Sequence, residues 1–187
     1  EQLIVAGPDT RATLSEATGR RTVGLRFAPG VGPAVFRVGA HELRDRRLPL
    51  DELWNPADVR RLTERLAAGA EPAALLEAAA HDRVRSGLRD PASPWVAEQL
   101  SAGRAVTEIA RRLGITERHL HRRSLDAFGY GPKMLQRVLR LQRALALVRG
   151  GTPAAIAALD AGYADQTHLA HDVRALAGVP LRAVLSS

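Results

Sequence analysis

Two hydrophobic patterns follow one another along the chain. Residues 3–6 (Leu-Ile-Val-Ala) and 22–28 (Thr-Val-Gly-Leu-Arg-Phe-Ala) are short β-branched and apolar runs bounded by Gly and Pro, which predicts strands. The polar segment 9–21 between them reads as a loop or hairpin connection. Two or three strands do not make an independent sheet. This part therefore reads as the remainder of a larger β-containing domain, or one that takes cover from helices. Gly30-Val31-Gly32 after a strand suggests a dinucleotide loop, but position 35 is Val instead of a third Gly, and Pro33 lacks the backbone donor a phosphate needs. The expectation is a turn into a short helix over 33–38.

From residue 51 the period becomes helical. Asn55-Pro56 is a cap and first-turn pair, Val59, Leu62 and Leu66 follow at helical spacing, and Gly69 ends the run. A second helix is expected over 72–84 with Leu75 and Leu76, then a linker at 89–93, then a helix opened by Ser93-Pro94 with Val96 and Leu100 inward. Trp54, Phe27 and Phe36 read as core.

The second half contains an internal repeat. Val106 to Leu113 predicts a short helix, Gly114 a turn, and Thr116 the cap of a second helix carrying His119 and Leu120. Thr152-Pro153 opens a helix through Ala158, Gly162 breaks it, and Asp165 caps a helix through Leu169 and His171. Ala110 and Ala158 each stand four residues before their turn Gly, which lets the paired helices approach, and the second helices run to Gly129 and Gly178. The offset is 48 residues at the Ala and 49 at the Leu, so one extra residue lies in the second turn. Between the copies, residues 132–148 carry Leu135, Val138, Leu141, Leu145 and Val148 on one face, with Arg137, Arg140 and Arg143 near the other. At 1.5 Å per residue this is a strut of about 26 Å.

Composition sharpens the picture. The 187 residues carry 27 basic and 20 acidic side chains, a formal charge of +7. Residues 1–91 hold 14 Arg against 13 acidic residues, a net of +1, and residues 92–187 hold 13 against 7, a net of +6. An excess confined to one half points to a polyanion, and nucleic acid is the commonest. The absence of Cys excludes disulfides, cysteine zinc fingers and thiol nucleophiles. No apolar run reaches the ~18 residues of a membrane span, and a globular chain is expected. No Gly-x-Ser-x-Gly elbow or His/acid spacing supports hydrolysis, so no catalytic residue and no cofactor is expected.

Gly162-Tyr163-Ala164-Asp165-Gln166-Thr167-His168-Leu169, with Arg174 and Gly178, resembles the signature of the AraC/XylS transcriptional regulators. Residues 115–123, Gly129-Tyr130-Gly131-Pro132 and Arg137-Val-Leu-Arg140 resemble that family's first copy and connecting helix, so the resemblance covers about 94–185. Residues 3–54 more loosely resemble the latter part of its sensor domain, which implies a missing N-terminal portion. The fold class implied is mainly α, an all-α double helix-turn-helix (homeodomain-like) behind a small N-terminal α+β segment. The domains expected are a partial sensor at 1–90 and a DNA-binding domain at 91–187, with helix-turn-helix units at about 105–129 and 152–178. The partners implied are double-stranded DNA, a small-molecule effector, RNA polymerase and a second copy as homodimer, in a cytoplasmic bacterial setting on the nucleoid. The sequence departs from the family pattern at Ser124 and Val173, where a large aromatic is usual. A Ser forfeits an aromatic's burial, of order 1.5–3 kcal/mol, unless Phe128 or a neighbour fills the space.

Position on the recognition helices selects Glu117, Arg118, His121 and Arg122 in the first copy, and Gln166, Thr167, His168 and His171 in the second, as base contacts. Arg pairs with guanine and Gln with adenine, whereas His specifies less sharply. The first copy, with Arg122 where the second has His171, is expected to discriminate more. Glu117 is either a cytosine-amine acceptor or a first-turn acid favourable to the helix dipole. Arg112, Arg123, Lys133, Arg137 and Arg140 are the phosphate candidates. His168 and His171, three apart, suggest half a zinc site, but no Cys or placed carboxylate completes it; Asp165 reads as a cap and Asp172 as a surface charge, and no metal is expected. The competing reading is a helical protein-interaction module with an Arg-rich surface.

Overall fold

The computed structural model describes residues 2–11, 22–87 and 90–185. Residues 12–21 of the expected connection and Arg89 of the expected linker lie outside them. The described chain is mainly helical and divides into two compact units.

The first unit holds the only strand pair among the described residues. Strand β1 (Ile4–Ala6) pairs antiparallel with β2 (Arg47–Pro49), with Val5 opposite Leu48. Residues 22–28, expected as a strand, form no strand pairing among the described residues. Their alternation is still that of a strand, since Val23, Leu25 and Phe27 are half-buried and Thr22, Gly24, Arg26 and Ala28 exposed. The partner of β1 is a three-residue segment whose single apolar side chain, Leu48, enters the core. A segment that short shows no period in sequence.

Helix α1 (Gly32–Phe36) follows the turn at Gly30, whose φ of +84° is left-handed. This is the turn and short helix expected there. Helices α2 (Pro56–Ala67) and α3 (Pro72–Ser86) start at their expected prolines. The Asn55 side chain accepts the Ala57 N–H at 2.8 Å and caps α2. The core joins Val5, Val35, Leu43, Leu48, Leu50, Trp54, Leu62 and Leu75, and the Trp54 indole N–H donates to the Val35 carbonyl at 3.2 Å. Phe27 and Phe36 meet edge to face at 5.7 Å, so the aromatics are core, as the sequence suggested.

Beyond these lie α4 (Ser93–Ser101), α5 (Val106–Arg112), α6 (Glu117–Phe128), α7 (Pro132–Arg149), α8 (Ala154–Ala161), α9 (Gln166–Ala177) and α10 (Leu181–Leu185). The second unit contains Trp95–Arg122 and everything from Tyr130 on, while Arg123–Gly129, the end of α6, belongs to the first.

The two helix-turn-helix turns are the same hydrogen-bonded device built twice. After α5, Gly114 takes φ +67°, and the Ile115 N–H donates to the Ala110 carbonyl at 3.0 Å. After α8, Gly162 takes φ +89°, and the Tyr163 N–H donates to the Ala158 carbonyl at 2.9 Å. In both, the residue after a left-handed Gly closes onto the Ala five positions earlier. The two Ala side chains are buried. Thr116 then accepts the His119 N–H at 3.2 Å, and Asp165 the His168 N–H at 2.7 Å, capping α6 and α9. The extra residue of the second copy is the one that precedes Asp165.

Helix α7 is an 18-residue strut, about 27 Å long. Leu141 and Ala144 of α7 share a core with Ala158, Ala161, Tyr163, Leu169, Val173 and Leu176. Val173 is fully buried there, with Tyr163 supplying the aromatic bulk of that core. Leu181 and Val184 of α10 pack against the same core.

Candidate nucleic-acid interface

On each recognition helix the reading positions point outward and the intervening apolar residue inward. Glu117, Arg118, His121 and Arg122 are exposed on α6, and Gln166, Thr167, His168 and His171 on α9. Leu120 and Leu169, at 1% and 0% exposure, anchor the opposite faces. Of the eight, Glu117, Arg118 and His121 come together with Lys133 and Met134 around a cleft of about 460 Å³ that also touches Val106 and the Gly131-Pro132 start of α7. Among the described residues Arg118, Arg122 and Lys133 carry no ion pair. No described acid is paired with them, and the cleft sets an Arg and a Lys, with Glu117 beside them, where they can meet a phosphate without losing a described partner. The His121 ring lies over Gly131: a β-carbon there would sit 2.6 Å from His121 Nε2.

On the second helix, the His168 ring meets Tyr163 edge to face at 5.1 Å, and its Nδ1 accepts the Ala164 N–H at 3.5 Å. His168 is thus oriented by the turn, whereas Gln166, Thr167 and His171 are exposed on the helix.

The five arginine and lysine residues expected at phosphates divide sharply. Lys133 lines the cleft. Arg112 pairs with Glu108 one turn earlier at 2.9 Å, with half its side chain exposed. Arg123 belongs to the first unit, where it binds Asp90 bidentately at 3.0 and 2.5 Å. Burial alone would raise the Asp90 pKa, but the Arg123 hydrogen bonds, the Ala92 N–H, the Arg123 charge and Ser93 together hold it below the ordinary carboxylate value. Arg137 and Arg140 face Asp172.

Asp172, expected as a surface charge, is 4% exposed. It accepts a short hydrogen bond from Arg137 Nε on one oxygen and the Tyr163 hydroxyl at 2.8 Å on the other. The fold can bury it because two hydrogen-bond donors and a second guanidinium, that of Arg140 at 3.7 Å, surround it. Desolvation first, and then the hydrogen bond and charge of Asp172, push the Tyr163 phenol up to about 12. The sequence did hold the signal. Leu169, Asp172, Val173 and Leu176 are the buried stripe of α9, at i, i+3, i+4 and i+7.

Residues 109–187 match the model of a family described as a helix-turn-helix domain. The match runs from within α5 to beyond α10 and so contains both turns. Searches of curated proteins and of solved structures returned no match. Among the described residues no helix is long and apolar enough to cross a membrane. With the duplicated turn and its outward-facing side chains, the match identifies residues 109–187 as a helix-turn-helix region.

Proposed function

We propose that the chain reads one DNA duplex through two adjacent major-groove segments, α6 entering one and α9 the other, under control of its N-terminal half. The observation that carries this is the repetition itself: two identically bonded turns, each setting an exposed polar row opposite a buried Leu, on one strut. The strut's length of about 27 Å is of the order of the duplex helical repeat of about 34 Å, so one chain suffices for a two-part footprint. Arg118 and Arg122 supply guanine contacts in the first segment, Gln166 an adenine contact in the second, and Thr167, His121, His168 and His171 adaptable ones. Glu117 either accepts from a cytosine amine or favours the helix dipole. Lys133 and Arg112 serve phosphates.

Residues 1–90 act as the regulatory part, answering to a small effector or to association with a second copy, and residues 91–187 as the DNA-binding part. What supports the coupling is α6. Asp90 holds Arg123, on the same helix as and directly after the base-contact positions Glu117–Arg122. Catalysis has no place in this reading.

Selection of bound fragments from random duplex DNA tests it. Enrichment of one motif spanning two groove segments, with affinity falling steeply as salt rises, is the expected result. A chain that binds duplexes without preference, or only an acidic protein surface, overturns it.

A further inference from the structure

One buried carboxylate joins the strut to the second recognition helix. Asp172 of α9 takes Arg137 of α7 on one oxygen and Tyr163, from the turn, on the other; Arg140 Nη2 of α7 lies 3.7 Å from the second oxygen. Arg140 also stacks its guanidinium 4.4 Å from the centre of the Tyr163 ring, and its Nε is buried without a hydrogen-bond partner among the described residues. The far edge of the same assembly is the His168 ring against Tyr163. Strut, turn and recognition helix are thereby held at a single point.

Two roles compete for Arg137 and Arg140. As phosphate ligands they would be partly exposed cations next to a carboxylate that repels the same phosphate and offsets their attraction. As partners of Asp172 they neutralise a charge that the core of the second copy could not otherwise hold. A buried acid on α9 satisfied from two other elements, the strut and the turn, also fixes the rotation of α9 about its axis, which decides whether side chains at 166–171 reach base edges.

We propose that Asp172 is a specificity-positioning residue: with Arg137, Arg140 and Tyr163 it sets the roll of α9 against the strut, and the two arginines serve that carboxylate instead of DNA phosphates. The inference rests on the DNA-reading function above. The two roles give opposite signs for one substitution. Asp172→Asn keeps the side chain's shape, removes a negative charge from the DNA-binding half and releases two arginines.

The test uses the full chain and the duplex it enriches from random DNA. If Asp172 positions α9, Asp172→Asn binds that duplex about tenfold more weakly. It loses base preference and groove protection over the second segment only, and keeps its affinity for random duplex and its salt slope. If the arginines are phosphate ligands, the variant binds the enriched duplex as tightly or more tightly, with a salt slope steeper by one or two contacts; that result overturns the proposal. Circular dichroism and the melting midpoint establish that the variant is folded. Should it not fold, Tyr163→Phe, which leaves the Asp172–Arg137 pair in place, is expected to weaken preference in the second segment alone, and unchanged preference there overturns the proposal. A parent chain that enriches no duplex overturns the DNA reading itself; a parent that does, matched by its variants, overturns only the role of Asp172.

Discussion

Removing the hydroxyl of Ser124 is expected to stabilise the protein. Ser124 sits within α6 at 1% exposure, and its Oγ finds no hydrogen-bond partner among the described residues. A buried hydroxyl left unmade costs about 1–3 kcal/mol. Ser124→Ala removes that cost and adds about 0.5 kcal/mol of helix propensity. Against this stands a void the size of one oxygen, well under a methyl group's cost of about 1 kcal/mol. The net is a gain of about 1–2 kcal/mol, or about 2–8 °C in melting midpoint for a chain of this size. Thr116→Ala, which deletes the cap of the same helix, provides the opposite sign and costs about 1 kcal/mol. Both are read by thermal unfolding followed by circular dichroism and calorimetry, with affinity for duplex DNA as the control that Ser124→Ala leaves unchanged. A Ser124→Ala chain less stable than the parent by 1 kcal/mol or more would refute the reasoning, since the hydroxyl would then be bonded.

Three further substitutions follow from the same geometry. Gly131→Ala drives a β-carbon into His121 Nε2, the far end of a mobile side chain; base preference in the first segment is expected to change with the melting midpoint within about 1 °C, and selection with the variant checks it. Tyr163, with its phenol pushed to about 12, keeps its proton in the fold after the unfolded chain has lost it near 10. Stability is therefore full below pH 10 and falls by about 2–3 kcal/mol as pH rises to 12, a loss that alkaline denaturation of Tyr163→Phe should lack. Asp90, with its pKa lowered, contributes stability above the ordinary carboxylate value and loses it as pH falls through its folded value. Asp90→Asn is expected to flatten that acid limb and, if the N-terminal half acts through α6, to alter binding in the first segment.

The helices and the duplicated turn were legible because each rests on local chemistry. Caps at Asn55, Thr116 and Asp165, left-handed glycines at 114 and 162, and a 3.6 period in the apolar residues all act within a few positions of themselves. The sheet was less legible. Strand β2 is three residues long with one core side chain, while 22–28 alternates like a strand and pairs with no other described segment, and the pairing of β1 with β2 joins segments about 40 residues apart. Among the site residues, outward-facing positions on α6 and α9 follow from helical phase alone. Which arginines are spent inside the fold does not. Arg123 finds Asp90 at a separation of 33 residues, and Arg137 finds Asp172 at 35. Asp172 could have been placed from the stripe it shares with Leu169 and Val173, but its charge argued for the surface and outweighed its phase.

The central claim, that both recognition helices read the duplex, is tested most directly by base-level footprinting of the enriched duplex with the parent chain and with Arg118→Ala/Arg122→Ala. The account predicts two protected major-groove segments about 10 base pairs apart. The double variant should lose discrimination in one and keep it in the other, each lost guanine contact costing about 1–3 kcal/mol. A single protected segment, or a double variant with unchanged preference, would contradict it.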